Sequence, residues 1–516
     1  MSAVQRVVSG SLASWLRIAV TIVSQVVAVP IYLNYWSVNA YGMWILIQSI
    51  ITFLTVFDVA HHQYLGNEFL RLGRQRQQEL CEVFRSGLTV ALIVSVFTFI
   101  IISSLVLSGT IGHWVGIGKV DTHAFEVSLM LMAGTWTLTV TFTGIIGRAL
   151  YPFGYFPLSA WSGVVFALVS TGASIAAVCL GADLIGATIV TCIVNLLCHS
   201  VLTLVLLRIA RQEKLFSSKI NLRLGFSRFL SSLVLGVQSG FEILRQQGVR
   251  FILLPLSGMA PMIAFSTMRT GANLAQQGLG TITAPLMPEL MNYVANRDQV
   301  RMEISFSVIW LMLCVVLVPA VLVLQYLSPA LFALWTHGKI EFDPVLFAIL
   351  SFGVLVSALA QPAIAVVSGN NLLKQQFLIS FVAVLITIGS MYWMVPSVGI
   401  KGAAIALLLG EMVTLVWYAY SARQWLNHVL LQWPRSAFLQ ASLSLVVAAT
   451  GMTAIIIFSR HDEICLMLAL VAQAFVINRY WVHLPLMARQ QASIKLARFL
   501  PLGYRKRLEK SAANVS

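Results

Sequence analysis

Charged side chains are scarce in these 516 residues. Asp, Glu, Lys and Arg together make up 10% of the chain, against roughly 25% in an average soluble domain. Acid is scarcest: 18 Asp and Glu stand against 33 Lys and Arg, a net charge of +15. So few polar groups cannot cover a soluble body of this length, which excludes a soluble enzyme, a DNA-binding factor, a fibrous repeat and a disordered scaffold. The six cysteines form no CxxC pair and no metal-ligand spacing. All but Cys81 sit in apolar runs and read as small apolar fillers. HExxH, P-loop and GxSxG patterns are missing as well. The chain is therefore read as no enzyme, with no cofactor and no nucleic-acid partner.

What the chain has is apolar sequence, 59% of all residues, with a mean hydropathy of +0.87. A spanning helix needs about 20 apolar residues. Such runs lie at 11–33, 40–63, 84–108, 124–149, 154–180, 183–207, 229–256, 259–290, 303–327, 344–368, 372–396, 399–420, 437–459 and 463–484. The expected fold is an all-α polytopic membrane protein of about 14 transmembrane helices. The second, seventh and eighth runs carry the most polar residues. Arg17 interrupts the first run where a cleavable signal peptide would be apolar.

Basic residues give the orientation. With a cytoplasmic N-terminus, 24 of the 33 fall in inner segments, four (Lys119, Lys339, Lys401, Arg460) in outer segments, and five within spans. This bias persists through every alternation and puts both termini in the cytoplasm. The net positive charge then faces anionic lipid of the inner leaflet. After Trp481 the tail alternates basic and apolar residues, as a helix lying on that surface would.

The spans repeat. Leu184-Ile185-Gly186-Ala187, opening span six, is similar to Ile400-Lys401-Gly402-Ala403, opening span twelve. The same offset brings the first five spans onto spans seven to eleven within about four residues. Six is even, so the two halves are parallel: an N-terminal six-helix lobe at 1–228, a C-terminal six-helix lobe at 229–424, an additional pair at 425–484 and a basic cytoplasmic tail at 485–516. Parallel repeats of this kind place a site between the lobes and work by rocking.

Ionisable residues inside spans are costly, about 2.5–3.5 kcal/mol each at a helix centre. Arg17, Arg245, Arg250 and Arg269 are interior, with Asp58, Glu242 and Glu411. Polar stripes accompany them: Ser14, Arg17, Thr21, Ser24 and Gln25 in span one; Gln48, Thr52, Thr55 and Asp58 in span two; Gln238, Glu242, Arg245 and Gln246 in span seven; Arg269, Thr270, Asn273 and Gln276 in span eight. They occupy equivalent helices of the two halves, as the walls of a central cleft would. The same groups also have quieter uses. Glu242 and Arg245 can pair at i,i+3, and Arg17 can snorkel. Trp15, Tyr41, Trp44, Trp114 and Trp335 suit interfacial belts. An excess of arginine suits an anionic, phosphate-bearing amphiphile rather than a cation.

The layout of six, six and two helices resembles the multidrug/oligosaccharidyl-lipid/polysaccharide exporter superfamily, and within it the bacterial flippases for O-antigen and other polysaccharides. Tyr41-Gly42-Met43-Trp44, then Asp58 and Asn67, is similar to a stretch of that family, and Gly186-Ala187 and Gly402-Ala403 resemble its span-six and span-twelve starts. The resemblance covers about residues 5–425. It implies alternating-access flipping of an undecaprenyl-pyrophosphate-linked oligosaccharide (an O-antigen, capsule or exopolysaccharide repeat unit) across the bacterial cytoplasmic (inner) membrane. Arg17, Arg245, Arg250 and Arg269 would bind substrate. Asp58, Glu242 and Glu411 would serve ion coupling, to protons or sodium, or charge balance. A polysaccharide polymerase and chain-length machinery would be partners. The alternatives are a peptidoglycan-precursor flippase and a cation-coupled multidrug antiporter. A membrane glycosyltransferase or polymerase fits least, because the outer loops near 109–123 and 328–343 carry no paired-carboxylate site.

Reporter fusions at Gly118, His337 and His461 should read as external, and fusions at Arg74, Lys219 and the C-terminus as cytoplasmic. Two neighbouring fusions on one side would remove the fourteen-helix arrangement.

Overall fold

The structure, a computed structural model, describes residues 3–111, 119–283, 290–291, 293–294, 296–370 and 372–484. Trp114, the middle of the 109–123 loop and the basic tail lie outside the described residues, as does the side chain of Ser14. Among the described residues there is no strand.

The first half of the chain forms α1 (Ala3–Tyr35), α2 (Val38–Leu54), α3 (Val56–Leu72), α4 (Gln77–Leu107), α5 (Lys119–Ala149), α6 (Phe156–Cys179) and α7 (Leu184–Gln212). The second half forms α8 (Leu222–Ser257), α9 (Met259–Thr283), α10 (Gln299–Met312), a π turn at Leu313–Leu317, α11 (Val318–Trp335), α12 (Pro344–Gly369), α13 (Leu373–Val398) and α14 (Ile400–His428). The final pair is α15 (Arg435–Ile457) and α16 (Asp462–His483). Eleven of these stretches are long and apolar enough to cross a membrane, with α10 to α11 counted as one, and the bent pair α2–α3 makes a twelfth. The polar helices α8 and α9 supply the remaining two of the fourteen expected segments. The chain is a multi-pass membrane protein of two parallel six-helix sets plus a pair.

The bend of 46° between α2 and α3 has a local cause. Thr55 Oγ1 donates back to the Ile51 carbonyl at 2.7 Å, and Thr52 Oγ1 to that of Gln48 at 2.7 Å. Hydroxyls that compete in this way loosen and bend a helix.

By packing, the chain divides into two compact units, 1–267 with 332–341 and 384–403, and 268–331 with 342–383 and 404–516. This division differs in kind from the repeat, because α8, the first helix of the second six, packs in the first unit. It lies on α3 and α4 along much of their length. A Cβ on Gly236 would come within 2.7 Å of Phe57, and one on Gly225 within 2.5 Å of the Ser86 carbonyl oxygen. His61 Nδ1 meets Ser232 Oγ at 3.1 Å, and Arg228 lies 3.8 Å from Glu68. Small residues let helices approach closely in lipid, where no hydrophobic force drives them together.

Segments expected on one side of the membrane come together in this unit. Arg74 donates to the Phe153 carbonyl, Arg85 to those of Phe216 and Ser218, and Gln77 to that of Glu213. All belong to segments assigned to the inner side, and they cap an apolar cluster around Phe69, Phe84 and Leu215. At the opposite end Trp36 donates to the Ala182 carbonyl, Trp335 to that of Val26 and Lys339 to that of Leu33. Tyr41 and Trp44 are buried within the protein. They pack with Tyr32 and Trp36, whose rings stack at 5.2 Å. Side-chain volume inside this outer cluster explains why the aromatic residues of Tyr41-Gly42-Met43-Trp44 turn inward. Gly42 makes room for Ile263.

In the second unit the final pair is pinned by one polar side chain. A π turn bonds each N–H to the carbonyl five residues back, and Val318 bonds to Leu313 in this way. The next donor would be residue 319, bonding to Cys314, but residue 319 is proline and has no N–H. Gln473 Nε2 of α16, fully buried, donates to the Cys314 carbonyl at 2.7 Å instead. Tyr480, also on α16, donates to the Ser307 carbonyl at 2.8 Å.

Gln473→Leu should strand the Cys314 carbonyl and cost about 1–3 kcal/mol, seen as a lower unfolding temperature in detergent. The double variant Pro319→Ala/Gln473→Leu should recover part of that loss, because alanine in place of the proline restores a backbone donor.

Candidate functional site

The first unit holds a half-open cavity of about 550 Å³. Its walls come from six helices and from Thr55. Gln48, Thr52 and Val59 represent α2 and α3, and Met132, Thr135, Trp136 and Thr139 represent α5. Ser170 comes from α6, Thr191, Asn195 and His199 from α7, and Ser239 from α8. None of the lining residues is Arg, Lys, Asp or Glu. The walls are hydroxyl and amide groups set among aliphatic side chains.

Behind Trp136 lies the buried carboxylate of Asp58. Its Oδ2 accepts from Trp136 Nε1 at 3.0 Å and from Thr141 Oγ1 at 3.2 Å, and its Oδ1 from Ser95 Oγ at 3.4 Å. Ser95 Oγ and Thr141 Oγ1 stand 2.8 Å apart, so their two protons are shared between each other and the carboxylate. His62 Nε2 stands 3.1 Å from Oδ1, near enough for an ion pair but angled away from a straight hydrogen bond. The His62 ring fits only because residue 144 is glycine: a Cβ there would meet Nδ1 at 2.6 Å. Asp58 thus faces away from the cavity and fixes the indole that faces into it.

Of the residues expected from sequence to bind substrate, Arg245 is buried and holds Glu242. Its Nε–Oε2 distance is 3.2 Å and its Nη2–Oε1 distance 2.6 Å. The carboxylate of Glu242 is 49% exposed. Arg250 bridges α2, α8 and α9, donating to Ser49 Oγ at 2.6 Å, Gln247 Oε1 at 2.7 Å and Ser266 Oγ at 3.1 Å. Arg17 is exposed on α1, beside Gly163 of α6. Arg269 is buried on α9, in the second unit, and Glu411 is half-buried on α14. The cavity contains none of the seven expected residues. Of the expected polar stripes, Gln48, Thr52 and Thr55 line it, whereas span one contributes nothing.

No protein-family model and no curated protein sequence matches the chain. Solved structures do. An inward-facing multidrug resistance MATE family transporter of the MOP superfamily superposes with a TM-score of 0.65 at 12% identity, covering 83% of this chain and 99% of that one. The lipid II flippase MurJ, in an inward closed conformation, superposes with a TM-score of 0.58 at 13% identity, covering 91% of this chain and 97% of that one. A MOP superfamily transporter from Pyrococcus furiosus, described for the reverse polarity of its binding pocket, gives a TM-score of 0.55 at 14% identity over 82% of this chain and 95% of that one. The chain shares the fold of these transporters. Residues before Arg435 alone cannot supply the share of this chain that MurJ covers.

Within this fold, sequence reasoning missed the cavity walls on α5 and α7, because a search for charge passes over them. A signal was present. Thr135, Thr137, Thr139, Thr141 and Thr143 alternate along α5, and a helix sends such a row to different faces. Thr135 and Thr139 reach the cavity, Thr141 reaches Asp58, and Thr143 reaches His199 at 3.0 Å.

Asp58→Ala should leave the Trp136 and Thr141 donors without their acceptor and lower the thermal unfolding midpoint by an amount equivalent to about 3 kcal/mol. Asp58→Asn, which keeps one acceptor oxygen, should lose less. Equal midpoints for Asp58→Ala and the unsubstituted protein would remove the clamp.

Proposed function

We propose that this chain is a flippase that carries an undecaprenyl-pyrophosphate-linked oligosaccharide across the bacterial cytoplasmic membrane by alternating access, with both termini in the cytoplasm. The observation that carries the reading is the Arg245–Glu242 pair. A guanidinium presenting Nε and Nη2 side by side to two oxygens is the fork that also takes phosphate. Here its acidic partner is the more exposed member, so an anionic headgroup can take that partner's place. Arg17 and Arg269 add to the positive excess. A cationic drug would prefer the opposite balance, which weighs against the multidrug antiporter. The reach of the MurJ superposition into the final helix pair supports a lipid-linked substrate.

Coupling to protons or sodium, through Asp58, Glu242 or Glu411, belongs to the same reading, as do a polymerase and chain-length machinery working downstream. The MurJ likeness favours one second reading, in which the glycan is the peptidoglycan precursor.

Deleting the chain should deplete a surface polysaccharide while cell-wall synthesis continues. Loss of wall synthesis would favour the second reading. In a complemented strain, Arg245→Ala should cut export about tenfold or more, Arg245→Lys less, and Glu242→Gln least, all at unchanged membrane levels. Full export by Arg245→Ala would sink the headgroup assignment.

A further inference from the structure

The cavity of the first unit has a hydrogen-bonding polarity that selects its ligand. A threonine hydroxyl owns one proton and two lone pairs. Five of the threonines that line the cavity spend their proton on their own helix. Thr52 donates to the Gln48 carbonyl, Thr55 to that of Ile51, Thr135 to that of Leu131, Thr139 to that of Thr135 and Thr191 to that of Ala187, all at 2.6–2.8 Å. Each therefore turns only lone pairs toward the space.

His199 follows the same rule. Thr143 Oγ1 donates to the Thr139 carbonyl at 3.1 Å, so its contact with His199 Nδ1 at 3.0 Å is one in which the imidazole donates. The tautomer that fits this pattern carries its proton on Nδ1 and leaves Nε2 as an acceptor. The ring is held against Phe166 at a centroid distance of 4.3 Å. Trp136 brings an aromatic surface whose own N–H is already given to Asp58.

The wall combines these threonine acceptors with the amides of Gln48, Gln63 and Asn195, which both give and accept, and it holds no carboxylate, arginine or lysine. It does not suit phosphate, which brings only acceptors and negative charge. It does not suit an organic cation either, which would call for a carboxylate. It suits a neutral molecule dense in donors. We infer that this cavity is the glycan subsite of the carrier, taking the uncharged, hydroxyl-rich sugar part of the substrate against acceptor oxygens, with a pyranose face laid on Trp136. The inference rests on the flippase reading and adds to it a division of labour: headgroup charge is met by arginine outside this cavity, and sugar is met inside it. The volume of about 550 Å³ falls within the roughly 300–1,000 Å³ typical of small-molecule sites.

Two arms test it. The triple variant Thr52→Val/Thr135→Val/Thr139→Val keeps shape and removes three acceptors, whereas the matching triple serine variant keeps them. In a deletion strain complemented with each, the valine set should lower surface glycan about tenfold or more at unchanged membrane level, and the serine set should stay near the unsubstituted chain. Wild-type export by the valine set would overturn the inference. The second arm needs no export. With the six native cysteines replaced and Asn195→Cys introduced, the purified protein is labelled with a water-soluble thiol reagent. Oligosaccharide released by mild acid from the host's lipid-linked pool should slow that labelling, and sodium pyrophosphate or sodium chloride should not. Protection by either salt alone, or none by the oligosaccharide, would overturn the sugar assignment. If deletion leaves the surface glycan unchanged, the flippase reading falls, and the labelling arm still decides what the cavity holds.

Discussion

In hydrocarbon there is no water to complete a hydrogen bond, and each buried donor or acceptor must find its partner within the protein or cost several kcal/mol. Much of what is distinctive here answers that constraint. Threonine hydroxyls lean back on carbonyls of their own helices. Arg250 is shared among three uncharged oxygens. Asp58, the acid at the end of the second span, gathers an indole, two hydroxyls and an imidazole around its two oxygens. Each arrangement first removes a liability, and the functional geometry is built from what remains.

That order explains which residues could be read from sequence. Span count and parity were legible because lipid demands long apolar runs and the loops carry the charge bias, and both signals extend over hundreds of residues. The polar character of α8 and α9 was legible too, as was the Glu242–Arg245 spacing. Partner choice was not. Nothing in the row Thr135 to Thr143 says which hydroxyl meets Asp58 and which meets His199, since that depends on a rotation of about 100° per residue carried through neighbouring helices. A search for charge also passes over the cavity, whose lining holds no Arg, Lys, Asp or Glu. Tyr41 and Trp44 look interfacial by composition, and the packing on Tyr32 and Trp36 is what composition does not show.

The arrangement also separates two kinds of recognition that a lipid-linked glycan would require. Guanidinium groups hold charge strongly and with little regard for what is attached to it. A cavity lined by hydroxyls and amides binds weakly per contact but reads shape. On the proposed reading, keeping the two apart would let the sugar subsite change by Thr, Ser, Asn or Gln exchanges without disturbing the headgroup, so related carriers could diverge in the glycan they accept on one constant helical frame.

The join between Pro319 and Gln473 has a mechanical side. A π turn beside a proline is a soft point along the helical stretch that runs from Gln299 to Trp335. The clasp that closes this soft point sits on α16, a different helix. Any flexing of the ninth span there must either carry α16 along or open the clasp in a solvent that offers no substitute bond. The last two helices therefore act as a splint on that span, and stiffening or releasing it is a way for the end of the chain to set how readily the ninth span bends.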